Sequence, residues 1–417
     1  MKTKFLIAIM LLSQVAFAQL KQRGIDNPLP SRQVHLDFHT SEFIPGIGEK
    51  FDKTEWQNTL KAGHINQINI FAKGHHSWSY YPTKVGHQHP NLKFDLLGAQ
   101  IEACHEIGVK CPIYYSVGWS ASEAINHPEW VSRKKDGQFQ ALLYDLDAKG
   151  TDIKPENGWL WLCPAAGGPY NEFIKKQVEE ICQNYAVDGF WFDIYHVADM
   201  GCYCDACVHR MHDEEVDLND HNAVVRSTAL AVKKHQTELC TIINKYHADA
   251  TVYFNSTSHV RDRGTFNERL FDLNTQQELE DLPTTWGGYD KLPLEAKYHL
   301  QEGNAIVAMS GKFHKSWGEF GGFKHADAIK YEAAAMISNG AACNFGDQLH
   351  PSGQLDIETY RNIGKAYEYV KKIEKYGLGG SPVSKLRTLA DIEYTSRFWE
   401  CQYPARNTQR FYFGQRK

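Results

Sequence analysis

The chain has 417 residues and a formal net charge of −5, with 45 basic against 50 acidic side chains, which gives no electrostatic case for a nucleic-acid partner. Ten cysteines spread irregularly over so long a chain do not make a small disulfide scaffold. Aromatic residues reach 12%, and many of the ten tryptophans lie beside loop signals, where flat faces can stack on sugars as well as fill a core.

In chain order, Lys2 and Lys4 precede an apolar stretch from Phe5 to Val15, and Ala16-Phe17-Ala18 is a small-x-small cleavage signal. Residues 1–18 therefore read as a signal peptide, too short to span a bilayer, and imply a secreted or periplasmic protein with no membrane span. Short β-type runs then alternate with helical stretches. Gln33 to His39 is the first run, followed by a helix from Lys53 to His64; Ile68 to Ala72 is the second, followed by a helix from Leu96 to Ile107 that stops at Gly108. Cys111 to Val117 is the third. A long connection rich in Trp, Asp and Gly runs from Gly118 to Pro169, a length that usually carries function. The helix Tyr170 to Tyr185 delivers the fourth run, Gly189 to Tyr195. The helix Val224 to Tyr246 precedes the fifth, Thr251 to Asn255. A weaker sixth lies near Leu273 to Glu280, and the seventh is Ala305 to Ser310. The helix Ala326 to Ser338 leads to the eighth, Ala342 to Gly346, before a last helix from Ile357 to Tyr376.

Eight such units predict a (β/α)₈ TIM barrel over residues 19–380. The competing arrangement, a doubly wound open sheet, lacks the Gly-x-Gly-x-x-Gly signature after its first strand. Residues 381–417 lose the pattern and read as a C-terminal tail, expected to be the truncated start of a second domain.

A barrel of this kind carries its chemistry at the carboxyl ends of the strands. The polar residues there are Asp37, His39 and Glu42; Lys73, His75, His76 and Trp78; Trp119; Asp193, Tyr195 and His196; Asn255 and His259; Glu278 and Glu280; Lys312, His314 and Trp317; Asp347 and His350. Any single His or Trp among them has an ordinary structural reading too. Asp193 stands apart. It ends the apolar run Phe190-Trp191-Phe192, where an unpaired charge is costly, so it must face a polar cavity or a strong partner. Two carboxylates are the minimum for glycoside hydrolysis. Asp193 suits attack on the anomeric carbon, and Glu280 is preferred as acid/base, with Glu278 next. Residues 278 and 280 share a strand face, and Glu278 is expected to supply the charge that keeps Glu280 protonated. An exposed acidic turn is the plainer reading of both. A retaining pair should lie roughly 5–5.5 Å apart.

Cys202, Cys204 and Cys207 form a Cys-x-Cys-x-x-Cys run that can hold a structural zinc ion, with Cys163, His196 or His209 as fourth ligand; a disulfide and free thiols remain open. No cofactor is expected for catalysis.

Several blocks carry a resemblance: residues 35–40, 71–83, 188–193, 201–207, 310–318 and 346–351. Together they resemble a family of hypothetical bacterial glycosyl hydrolases often joined to a β-galactosidase trimerisation domain. The Trp191-Phe192-Asp193 ending also resembles α-L-fucosidase barrels, which implies a nucleophile at Asp193. The cysteine run is similar to the zinc cluster of β-galactosidases that share the trimerisation domain, which implies zinc at Cys202, Cys204 and Cys207. The expectation is therefore a retaining, exo-acting, fucosidase-like glycoside hydrolase on extracytoplasmic glycans. His39, His75, His76, Lys73, Lys312, His314, His350, Asp37, Tyr195, Asn255 and Asp347 would contact sugar, with Trp78 and Trp317 as stacking faces. A carbohydrate-binding barrel without turnover and a metal-dependent hydrolase are the alternatives. The oligomeric state is left open.

Overall fold

The computed structural model describes residues 29–143, 158–255 and 270–380. The signal segment, the tail and His259 lie outside the described residues. Eight parallel strands form one sheet: β1 (Arg32–Asp37), β2 (Gln67–Lys73), β3 (Ile113–Ser116), β4 (Gly189–Asp193), β5 (Thr251–Phe254), β6 (Gln277–Glu280), β7 (Ile306–Gly311) and β8 (Ala342–Gln348). Their spatial order runs β5-β4-β3-β2-β1-β8-β7-β6, so β1 pairs with β8 and the sheet curls round on itself. It is a (β/α)₈ barrel. β2, β3, β4, β7 and β8 are buried along their whole length, which is why their sequences read as nearly continuous apolar runs.

The ring closes differently between β5 and β6. The side chain of Asn274 accepts from the Phe254 N–H (3.0 Å), the Thr275 hydroxyl accepts from the Val252 N–H (2.8 Å), and the Thr275 N–H donates to the Val252 carbonyl (2.8 Å). Two short polar side chains thus stand in for a strand ladder.

The longer helices are α1 (Lys53–Ala62), α2 (Leu96–His105), α3 (Pro169–Asn184), α4 (His221–Tyr246), α5 (Gly288–Gln301), α6 (Ala326–Ser338) and α7 (Ile357–Gly377), with shorter ones at Ala121–Asn126, Val197–Met200 and Asp205–Asp213. Asp52, Asp95, Asp220 and Asp356 cap α1, α2, α4 and α7 by accepting from N–H groups of the first turn, which satisfies donors that a helix start leaves orphaned. Between β5 and β6, the described residues contribute only the 3₁₀ turn Leu270–Leu273. No helix among the described residues is long and apolar enough to cross a membrane.

Strand pairing fixes which side chains point inward. His35 pairs with Asn69 and Gly346, Tyr114 with Trp191, and Ser116 with Asp193. His35 sits at the centre, edge-on to Trp191, Trp317, Tyr114 and Phe71 at centroid distances of 4.7, 5.4, 5.6 and 6.1 Å. Burial pushes it down to about 4, so it is a neutral hydrogen-bonder, facing Asn69 at 3.1 Å.

Candidate active site

Asp193 ends β4 and is 7% exposed. Its Oδ2 accepts from the Tyr114 hydroxyl, and its Oδ1 accepts from the Ile194 N–H and from Asn255 Nδ2, both at 2.8 Å. Ile194 adopts a left-handed φ of 71°, which folds that N–H back onto the carboxylate. Burial pushes Asp193 up from the usual carboxylate range, opposed by Tyr114, Asn255, His39 and the Ile194 N–H.

Glu280 ends β6. Its Oε1 accepts from Trp317 Nε1 at 2.8 Å and its Oε2 from Asn255 Nδ2 at 3.1 Å. The amide nitrogen of Asn255 therefore reaches both carboxylates. Asp193 Oδ1 and Glu280 Oε2 can be no further apart than those two contacts, 2.8 and 3.1 Å, laid end to end. With one hydrogen on each, the trigonal NH₂ sets them roughly 5 Å apart. Burial and then the Asp193 charge push Glu280 up to about 7. Glu278 is not the source of that charge. It points into the barrel below, accepting from Trp191 Nε1 (2.8 Å) and Gln276 Nε2 (2.9 Å), and burial alone raises it to about 7.

Beside Asp193, the rings of His39 and His75 stack at 3.7 Å. His39 Nδ1 accepts from the His75 backbone N–H (3.0 Å), so its proton is on Nε2, which donates to Asp37 Oδ1 at 2.8 Å. The Ser116 hydroxyl donates to the Trp119 carbonyl (2.8 Å), so at 2.6 Å it can only accept from His75 Nδ1–H. His75 Nε2, 3.9 Å from Asp193 Oδ2, is left as an acceptor with no donor among the described residues. Burial holds His75 well below its ordinary range and His76 at about 4, so both are neutral. Trp159 stands over them, with centroids 5.7 Å from His75 and 5.1 Å from His76, and stacks on Trp119 at 5.7 Å. Trp78 donates to Glu42 Oε2 at 3.2 Å on the same rim.

Residues 52–194 match the family model described as hypothetical glycosyl hydrolase 6. Among solved structures the chain is similar to α-L-fucosidase isoenzyme 2 from Paenibacillus thiaminolyticus, at 39% identity and a TM-score of 0.77, with 85% of this chain and 51% of that one covered. It thus spans about half the length of that fucosidase. It also shares its fold with α-L-fucosidase isoenzyme 1 of the same organism, at 14% identity and a TM-score of 0.54, covering 86% of this chain and 78% of that one. No curated protein matches the chain.

In this barrel the rim residues divide by direction. Asp37, His39, His75, Asp193, Asn255, Glu280 and Trp317 come together at one mouth. Trp317 is anchored to Glu280 and packs on His35, so it forms floor as well as face. Four residues expected at sugar point the other way, under the helices. Lys73 is fully buried among Tyr115, Tyr170 and Phe173. Lys312 and Asp347 pair with each other at 2.9 Å. Tyr195 bonds to His235 at 3.2 Å. His314 and His350 are exposed and occupied locally, His314 by the Phe323 carbonyl and His350 by the Ser352 hydroxyl, both at 2.8 Å.

Tyr114, Ser116, Trp159 and Gln348 were not singled out from sequence. Gln348 pairs in register with Asp37, and its buried amide has no hydrogen-bond partner among the described residues. Tyr114 and Ser116 share one parity within the third run, which is the only sequence signal they offer. The cysteines meet as a group of four: one sulfur each from Cys163, Cys202, Cys204 and Cys207, all within 4.8 Å of one another.

Proposed function

We propose that this barrel is a retaining glycoside hydrolase that releases terminal α-L-fucose from glycans outside the cytoplasm. The observation that carries the reading is the shared Asn255 amide, which brings one oxygen of Asp193 and one of Glu280 close together across a single nitrogen, as a nucleophile and acid/base acting on one glycosidic bond require. The 39% identity to the Paenibacillus enzyme supports the sugar, and the leader-like residues 1–18 support the location.

In the first step an oxygen of Asp193 attacks the anomeric carbon, the glycosidic C–O bond breaks, and Glu280 gives its proton to the departing oxygen. Glu280 holds that proton near neutral pH because it is buried beside the Asp193 charge. Once Asp193 is esterified that charge is gone, so Glu280 becomes more acidic and, now ionised, takes a proton from the incoming water, whose oxygen bonds to the anomeric carbon as its bond to Asp193 breaks and the carboxylate is restored. Tyr114 and the Ile194 N–H hold the nucleophile in one orientation. The free lone pair on His75 Nε2 accepts a sugar hydroxyl. The Trp119–Trp159 pair offers an apolar wall that suits the C6 methyl of a deoxy sugar.

A panel of 4-nitrophenyl glycosides, with NMR detection of the first-formed anomer, tests this. The expected result is turnover of the α-L-fucoside with α-fucose appearing first. Turnover of another glycoside alone, or β-fucose as first product, would overturn it.

A further inference from the structure

We propose that Cys163, Cys202, Cys204 and Cys207 bind one zinc ion, which fastens the tryptophan wall of the active site to the segment that follows Asp193. All four cysteines are buried, between 0 and 6% exposed, and none is in a disulfide. Four thiolates at about 2.3 Å around a tetrahedral zinc have sulfurs about 3.8 Å apart. The mutual spacing within 4.8 Å, with Cys163 and Cys207 at 3.5 Å, is close to that cage. His209 is exposed and His196 packs edge-on against Trp161 at 5.2 Å, so Cys163 completes the set and a histidine does not.

The surroundings fit an anionic metal–thiolate cluster. The Cys204 N–H donates to the Cys202 sulfur (3.4 Å), and the Arg210 guanidinium reaches the Cys207 sulfur (3.5 Å). A zinc with four thiolates carries two negative charges, and a cation with N–H donors at the sulfurs is what stabilises them. With four protonated thiols, that guanidinium would have no anion among the sulfurs to serve.

The connectivity assigns the task. Cys163 lies four residues after Trp159, in the stretch whose Trp161 bridges to Trp119. Cys202 lies nine residues after Asp193. The ion thus ties the strand carrying the aromatic wall to the end of β4, across about 40 residues of sequence. Zinc here is closed by protein ligands and keeps no open position for substrate, so its role is structural. This stands independently of the sugar proposed above.

Purified full-length protein should contain one zinc per chain by elemental analysis. The four thiols should react with a thiol reagent only after metal is stripped. Cys163→Ser should lose zinc to a chelator concentration that leaves the wild type loaded, and Cys163→His should recover retention. Hydrogen exchange should rise together at residues 158–163 and 202–207 when zinc is removed. Protein isolated without metal, with iron in its place, or with these cysteines oxidised to disulfides overturns the site. Unchanged exchange in either segment after stripping overturns the fastening role.

Discussion

Two carboxylates of similar chemistry are made different by what they touch. Asp193 accepts three hydrogen bonds, while Glu280 sits in the field of Asp193 and is held near 7. Asp193→Asn should cut kcat for an aryl fucoside by at least about a thousandfold while leaving fucose binding measurable, since it removes a group needed in the transition state. For Glu280 the sign follows from the proposed role as acid. It must be protonated, so kcat/KM should fall as pH rises through about 7, and Glu280→Gln should abolish that limb. The same variant should hurt substrates with poor leaving groups far more than activated aryl fucosides. A pH profile of Glu280→Gln that kept the wild-type alkaline limb would assign the acid elsewhere.

Within the strands, direction decides role. The alternation of apolar runs and helices made the barrel legible in sequence, because most of the strands are buried along their whole length and four of the helices start at an Asp cap. The list of strand-end residues was legible as well; the direction of each was not. A register shift between Phe71 and Lys73 turns Lys73 outward, and the left-handed Ile194 turns Tyr195 away from the face of Asp193. Neither irregularity leaves a mark in composition or periodicity. Asp347 and Lys312 obey simple parity, but parity needs a register, and that is set by long-range pairing. Gly346 shows the same logic in reverse: it points inward with no side chain, and Trp317 fills the space. A Cβ there would meet the Trp317 ring at 2.4 Å. Gly346→Ala should displace Trp317 from Glu280 and lower kcat by about tenfold or more, with the fold intact by circular dichroism. On β6, Glu278 is buried with its folded value raised to about 7. The folded state then binds more protons than the unfolded chain between about pH 4.5 and 7, so this residue lowers stability as pH rises through that window. Glu278→Gln should shrink the fall in Tm between about pH 5 and pH 8.

For the whole molecule, the ring of strands is continuous except at the seam between β5 and β6, where Asn274 and Thr275 close it. Asn274→Ala removes the buried acceptor of the Phe254 N–H and should cost about 1–3 kcal/mol in denaturant unfolding, far more than a surface change. Asp193 lies on one side of this seam and Glu280 on the other, with Asn255 spanning it. The spacing of the proposed catalytic pair therefore depends on the one joint that, among the described residues, is closed by side chains instead of a strand ladder. On heating, that joint should yield before the rest of the barrel melts. Activity should be lost, reversibly, at a temperature below the calorimetric transition, and a disulfide engineered across the joint should bring the two temperatures together.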